Sequence, residues 1–122
     1  MSTKSWNFGK EAENHAAGYM QKQGYQILER NWHFGHKELD IIAKKGNELV
    51  IVEVKARGTE RFEHPLDAVN KRKQRFMVEA ANVYVEAKDL DVDTRFDVIS
   101  IIPENGKFHL EHLEDAFQPH MI

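Results

Sequence analysis

The sequence predicts an α/β fold in which helices pack on a mixed β-sheet, and three observations carry that expectation. Residues 7–24 and 66–87 repeat apolar side chains at helical spacing. Residues 25–31, 38–43, 49–55, 94–102 and 108–112 read as strands bounded by turn residues. The resulting order is helix, strand, strand, strand, helix, strand, strand, with the long second helix supplying a crossover between apolar strands. One domain, 1–122, is expected at this length.

The first helix carries Phe8, Ala12, Ala16, Tyr19 and Met20 on one stripe, and Gly24 suits its C-terminal cap. Tyr25–Asn31 is a short strand, and the aromatic and polar run Trp32–His36 reads as a connection with Gly35 as its flexible point. A hairpin follows. Glu38–Ala43 and Leu49–Lys55 flank a turn in which Gly46 and Asn47 tolerate positive φ. Val50, Val52 and Val54 share one face of its second strand, while Leu49 and Ile51 precede Glu53 and Lys55 on the other. A strand apolar on both faces is central and covered on both sides, so its polar end opens at an edge or cleft.

Residues 57–64 read as a loop, and Pro65 fits a first helical turn. The second helix, from Leu66 to Ala87, has Val69, Phe76, Met77, Ala80, Ala81, Tyr84 and Val85 as its apolar stripe. After an acidic loop at residues 89–93 come the strand Thr94–Ile102, a turn over residues 103–107 and an edge strand Phe108–His112. Residues 113–117 are expected to add a helical turn.

Composition narrows the function classes. With 41% hydrophobic and 30% charged residues the chain is globular, and with no cysteine it excludes disulfides, thiolate-held clusters and cysteine catalysis. No apolar run exceeds four residues and the start lacks a signal-peptide core, so a cytoplasmic protein with no membrane partner is expected. The net charge of −3 argues against indiscriminate nucleic-acid coating. Its distribution is uneven: seven bases face three acids between Lys55 and Arg75, whereas nine acids face three bases from Glu86 onward. The basic stretch is either a small phosphate-facing patch or a solvated helix face.

The hairpin carries the sharpest chemistry. A two-residue loop at Gly46-Asn47 pairs residues whose numbers add to 93, which sets Asp40 opposite Glu53 and Glu38 opposite Lys55. Opposed carboxylates at the end of a buried strand repel and are desolvated, a cost that one lysine offsets only in part. A divalent cation would balance them. Mg²⁺, or Mn²⁺ in its place, prefers hard oxygen ligands and is held by one or two carboxylates with phosphate oxygens completing its shell. The alternative is an ordinary hairpin with solvent-exposed salt bridges.

Other residues are candidates for nucleic-acid contact. Lys73 interrupts the apolar stripe of the second helix, and with Gln74 it is a candidate to touch phosphate, the alternative being a structural role for both. Arg57 follows Lys55 by two residues and can reach a phosphate beyond the site, or sit solvated in a loop. Trp6, Trp32 and Phe34 can stack on unpaired bases or pack in the core. Asp97 reads as an acceptor that supports the sheet centre rather than a ligand. The seven histidines show no zinc spacing, and His109 and His112 read as edge-strand or surface residues.

Asp40 followed by Glu53-Val54-Lys55 after a hydrophobic hairpin resembles the PD-(D/E)xK nuclease signature. The wider chain is similar to the YraN family of small bacterial proteins. The matching pieces are Gly9-Lys10-Glu11, Gly24-Tyr25, Asn31-Trp32, Glu38-Leu39-Asp40-Ile41-Ile42, Val52 to Arg57, Lys73-Gln74 and Arg95-Phe96-Asp97-Val98. The resemblance implies a restriction-endonuclease-like fold, two or three layers around a central mixed sheet. It also implies a likeness to archaeal Holliday junction resolvases, which act as dimers and in which a first-helix glutamate joins the core acids. Glu11 is the position that matches that glutamate. Leu39 stands where the written motif has proline.

The expected function is therefore Mg²⁺-dependent hydrolysis of phosphodiester bonds in DNA, either structure-selective or nonspecific, since no base-reading motif is visible. Asp40, Glu53, Lys55 and Glu11 are the candidate catalytic residues, with Asp40, Glu53 and Glu11 holding the metal. A catalytically silent nucleic-acid-binding accessory protein and a protein-interaction module are the alternatives.

Overall fold

The computed structural model describes residues 8–57, 66 and 69–122, apart from the Met121 side chain. Helix α1 spans Phe8–Lys22, strands β1 to β3 span Gln26–Phe34, Lys37–Lys45 and Glu48–Ala56, and helix α2 spans Lys71–Ala87. Strands β4, Asp93–Glu104, and β5, Lys107–Leu113, complete one five-stranded sheet in the order β1-β2-β3-β4-β5. The first three strands are an antiparallel meander, β4 joins β3 in parallel after the α2 crossover, and β5 returns antiparallel. The sheet is mixed and the element order is the expected one, an arrangement compatible with a restriction-endonuclease-like fold.

Two hydrophobic cores make this a three-layer sandwich. On one face of the sheet Ala12, Ala16, Ala17 and Met20 of α1 pack against Ile41, Val50, Val52, Ile99 and Ile101. On the other, Met77, Ala80, Ala81 and Tyr84 of α2 pack against Leu39, Ile42, Leu49, Ile51, Phe96 and Val98. Leu49 to Val52 are all fully buried because β3 feeds both cores, as expected for a central strand. Gly24 ends α1 at φ 97, and the Tyr25 N–H closes back on the Met20 carbonyl.

Several boundaries differ from the sequence reading. Strand β1 runs on to Phe34, so Trp32 and Phe34 are strand residues packed toward α2 rather than a connection. A register shift between Ile27 and Glu29 and a positive φ of 52° at Asn31 let the strand bend and keep pairing. Helix α2 starts at Lys71, where Asn70 caps it by accepting from the Lys73 N–H at 2.8 Å. The expected helical positions 67 and 68, Pro65, Trp6 and residues 58–64 of the expected loop lie outside the described residues.

Strand β4 continues through Pro103, and the turn tightens to Asn105-Gly106, both at positive φ, so β5 begins at Lys107. The expected helical turn at residues 113–117 is replaced by Asp115 at φ 54 and a hydrogen bond from the Ala116 N–H to the Phe96 carbonyl. A short 3₁₀ turn comes later, at Pro119–Met121. Among the described residues, no helix is long and apolar enough to cross a membrane.

Candidate active site

The β2–β3 pairing follows the register expected from the turn: Lys45 pairs with Glu48 and Ile41 with Val52. Beyond that last pair the regular ladder stops. The Val54 N–H donates to Asp40 Oδ2 at 2.8 Å, so a side chain stands where a strand carbonyl would continue the sheet. Alternation also breaks here. Leu39 and Ile42 both belong to the α2-side core, whereas Ile41 and Ala43 belong to the α1 side, which leaves Asp40 at the crossover point. Asn31, with its positive φ, sits across from Asp40 between the Arg30–Ile41 and Trp32–Leu39 pairs.

This local opening brings Asp40 and Glu53 close enough for each carboxyl to perturb the other. They line a cleft of about 630 Å³ with Gly9, Lys10, Glu13, Asn31, Glu38, Val54, Lys55 and Ala56. Burial and then the Glu53 charge push the Asp40 carboxyl up from 3.8 to about 7, against the opposing pull of the Val54 N–H and Lys73. Burial likewise raises Glu53, although Lys73 and Lys55 both favour its charged form. Lys73 Nζ lies 3.6 Å from Glu53 Oε1. Lys55 is exposed at the cleft.

The helix acid at this cleft is Glu13, and Glu11, exposed on α1, is not among the residues lining it. Glu13 is held by the Asn31 amide at 3.2 Å and by Arg30 at 3.5 Å, while Asn31 also donates to Glu38 at 3.4 Å. Its charge further raises Asp40. Glu13 was missed because α1 residues on both borders of the apolar stripe look alike until the sheet fixes which border faces the acids. Its spacing of three from Ala16 and its place beside Ala12 are the signals that were available.

Of the expected nucleic-acid contacts, Lys73 reaches the acid pair and Arg57 is half-buried at the end of β3, its N–H bonded to the Ile101 carbonyl. Gln74 is placed otherwise. It is buried, with its side-chain amide donating to the Val69 carbonyl at 2.9 Å, and so faces the core instead of solvent. Residues 74, 77, 81 and 84 form the buried helical row, so the interrupted position of the stripe is Gln74 rather than Lys73.

Trp32 packs edge-on to Tyr84, with ring centroids 5.2 Å apart. Asp97 is fully buried and accepts from Arg95 at 2.8 and 2.9 Å and from the Asp115 N–H at 2.9 Å. His112 stands on the edge strand β5, as expected, with its side chain 6% exposed: Nε2 lies 2.7 Å from Asp97 and Nδ1 lies 2.8 Å from the Tyr19 hydroxyl.

The donor set fits a hard divalent cation. Its reachable groups are carboxylate oxygens, two of them desolvated and adjacent, with one close ammonium to offset them. Among the described residues no three acidic or histidine side chains converge as a closed cage. Two carboxylates with open positions is the manner in which Mg²⁺ is held when water and substrate phosphate supply the remaining oxygens.

Comparison with known proteins gives a consistent answer. The family described as "Uncharacterised protein family UPF0102" matches residues 12–101. Among curated relatives, a UPF0102 protein of Phocaeicola vulgatus is 46% identical over 112 residues, covering 92% of this chain and 93% of the relative. One from Bacteroides thetaiotaomicron is 49% identical over 111 residues, covering 91% and 92%. Another, from Flavobacterium psychrophilum, is 48% identical over 111 residues, covering 91% and 93%.

Proposed function

The chain belongs to the UPF0102 family, the YraN group, and from that premise we propose that it is a Mg²⁺-dependent nuclease hydrolysing phosphodiester bonds in DNA. The observation that carries the reading is the opening of the β2–β3 ladder, which sets Asp40 against Glu53 in a cleft shared with Lys55. A pair of like charges held together costs stability, and a site that retains it needs a positive partner beyond Lys73.

Asp40 and Glu53 would hold the metal, with Glu13 acting on Asp40 from the helix side in the place expected of Glu11. When bound, the cation supplies Lewis-acid polarisation of a phosphodiester oxygen and acidifies water. Lys55, exposed beside the acids, neutralises charge that develops on the phosphate during hydrolysis. Lys73 favours the charged form of Glu53, the form that ligates, against the burial that raises it. Arg30 and Asn31 fix Glu13 at the rim, a supporting layer of the kind that orients metal ligands.

The test is cleavage of single-stranded, duplex, flap and four-way DNA by purified protein with Mg²⁺ or Mn²⁺. The proposal expects cleavage that disappears in Asp40→Ala and Glu53→Ala. No cleavage of any substrate, or cleavage indifferent to both substitutions, overturns it. Saturable DNA binding without metal-dependent chemistry would instead assign the chain an accessory role.

A further inference from the structure

A second surface adjoins the acid pair and has no part in the chemistry just described. Phe34, at the end of β1, stacks on Phe76 of α2 with ring centroids 6.1 Å apart and planes inclined by 29°. The two rings line a depression with His36, Lys37, Arg72, Arg75 and Glu79. Lys37 Nζ stands 5.5 Å from the Phe76 centroid and Lys73 Nζ stands 5.7 Å from it. Both rings are only partly buried, whereas Lys37, Arg72 and Arg75 are exposed.

The composition of this depression is specific. Three exposed cations and one acid, Glu79, leave it positive on a chain whose net charge is −3. The first turns of α2 hold Lys71, Arg72, Lys73 and Arg75 with no acid in the first turn, the opposite of what the helix dipole favours. The helix dipole disfavours cations in that position, and a bound polyanion would offset both the dipole and the cations.

Aromatic faces flanked by cations are how proteins hold single-stranded nucleic acid, the bases stacking while the phosphates meet lysine and arginine. Lys73 connects the two surfaces, since the same ammonium lies beside the Phe76 ring and 3.6 Å from Glu53.

We propose that the Phe34–Phe76 pair with Lys37, Arg72 and Arg75 is a binding platform for unpaired nucleotides, delivering the strand beside it to the acid pair. The inference rests on the nuclease reading for its purpose, but binding itself needs neither metal nor catalysis. It deepens that reading by naming the substrate class: nucleic acid with a single-stranded segment next to the scissile bond. A duplex offers only its backbone to such a surface, because its bases are stacked and cannot reach the rings.

The experiment is equilibrium binding of fluorescent oligothymidylate, oligouridylate and a duplex of equal length, measured in EDTA so that no turnover enters. The proposal expects single strands to bind more tightly than duplex. It expects Phe76→Leu and Phe34→Leu, which keep apolar volume but remove the stacking face, to weaken single-strand binding about tenfold. Arg75→Gln, an exposed change that spares the fold, should weaken binding and flatten its salt dependence.

Equal affinity for single strand and duplex overturns the platform, and so does single-strand affinity indifferent to Phe34→Leu and Arg75→Gln. Preference for an acidic peptide over either oligonucleotide overturns it as well. The two nucleic-acid arms separate DNA from RNA as the source of the strand. Intact single-strand preference in a protein that never cleaves would overturn the nuclease reading and leave this one standing.

Discussion

Two aspartates of the same sheet, one fully buried and one half-buried at a cleft, have opposite electrostatic lives. Asp97 on β4 is fully buried and accepts hydrogen bonds from Arg95, the Asp115 N–H and His112. Burial alone would raise its pKa, yet these donors outweigh it and hold the carboxyl below its ordinary 3.8. Asp40 on β2 accepts from only one backbone N–H, and burial, with the charge of the facing Glu53, raises its carboxyl to about 7. The first is wired to stabilise the fold. The second lacks positive charge, and the shortfall marks it as a place for a ligand.

The sharpest way to break this contrast is Asp97→Asn. Removing the charge takes from Arg95, only 14% exposed, its buried acidic partner and leaves it the more exposed Glu48 and Glu114, which should cost about 3 kcal/mol in urea unfolding. A loss well under that would mean the Arg95 cluster is not a stabilising centre.

Asp40→Asn should act in the other direction. The amide still accepts from Val54 and can donate to Glu53, so without metal the variant should gain on the order of 2 kcal/mol above neutral pH while losing cleavage. The signs of the pH dependence differ in the same manner. Asp40, with its folded pKa raised from 3.8 to about 7, makes the wild type lose stability as pH climbs through that window. Asp97, lowered from 3.8, contributes stability that is present above that value and fades as pH falls through the folded pKa. Parallel melts of wild type, Asp40→Asn and Asp97→Asn across the acidic to neutral range separate the two contributions.

A smaller effect distinguishes the two helix acids. Glu13→Gln should change Mg²⁺ affinity about tenfold and lower the Asp40 midpoint, whereas Glu11→Gln should leave both unchanged. Equal responses would remove the special position of Glu13. The smallest effect expected is for Gln74→Leu, at about 1 kcal/mol of stability for the lost bond to the Val69 carbonyl, with oligonucleotide affinity unaltered. Weakened affinity in that variant would return Gln74 to the nucleic-acid surface.

What was legible in the sequence, and what was not, follows the range of each interaction. The Gly46-Asn47 turn and the alternation of Val50, Val52 and Val54 are local signals, and they were enough to set the β2–β3 register as far as the Ile41–Val52 pair, whereas the opening beyond it, where Asp40 meets Glu53, is not encoded in that pattern. The fully buried run Leu49–Val52 identified the central strand for the same reason. The bend of β1 was hidden because it depends on φ at Asn31 and on a register shift against β2, neither of which periodicity encodes. Glu13 rather than Glu11 lines the cleft, because helix phase relative to the cleft is a tertiary property. Gln74, in contrast, was visible: its spacing to Met77, Ala81 and Tyr84 is that of the buried row, and its polar side chain obscured it. His112 was legible as an edge-strand residue, whereas its bonds to Asp97 and Tyr19 were not, because those partners lie on other elements.

The most direct test of the missing positive charge is the proton count of metal binding. Mg²⁺ titrations in buffers of different ionisation enthalpy, run below and above the Asp40 midpoint of about 7, report protons released per ion. The account predicts release approaching one proton below that midpoint, vanishing above it, and absent at both in Asp40→Asn. Binding with no proton release below the midpoint, or an Asp40 carboxyl that titrates at its ordinary value, would contradict it.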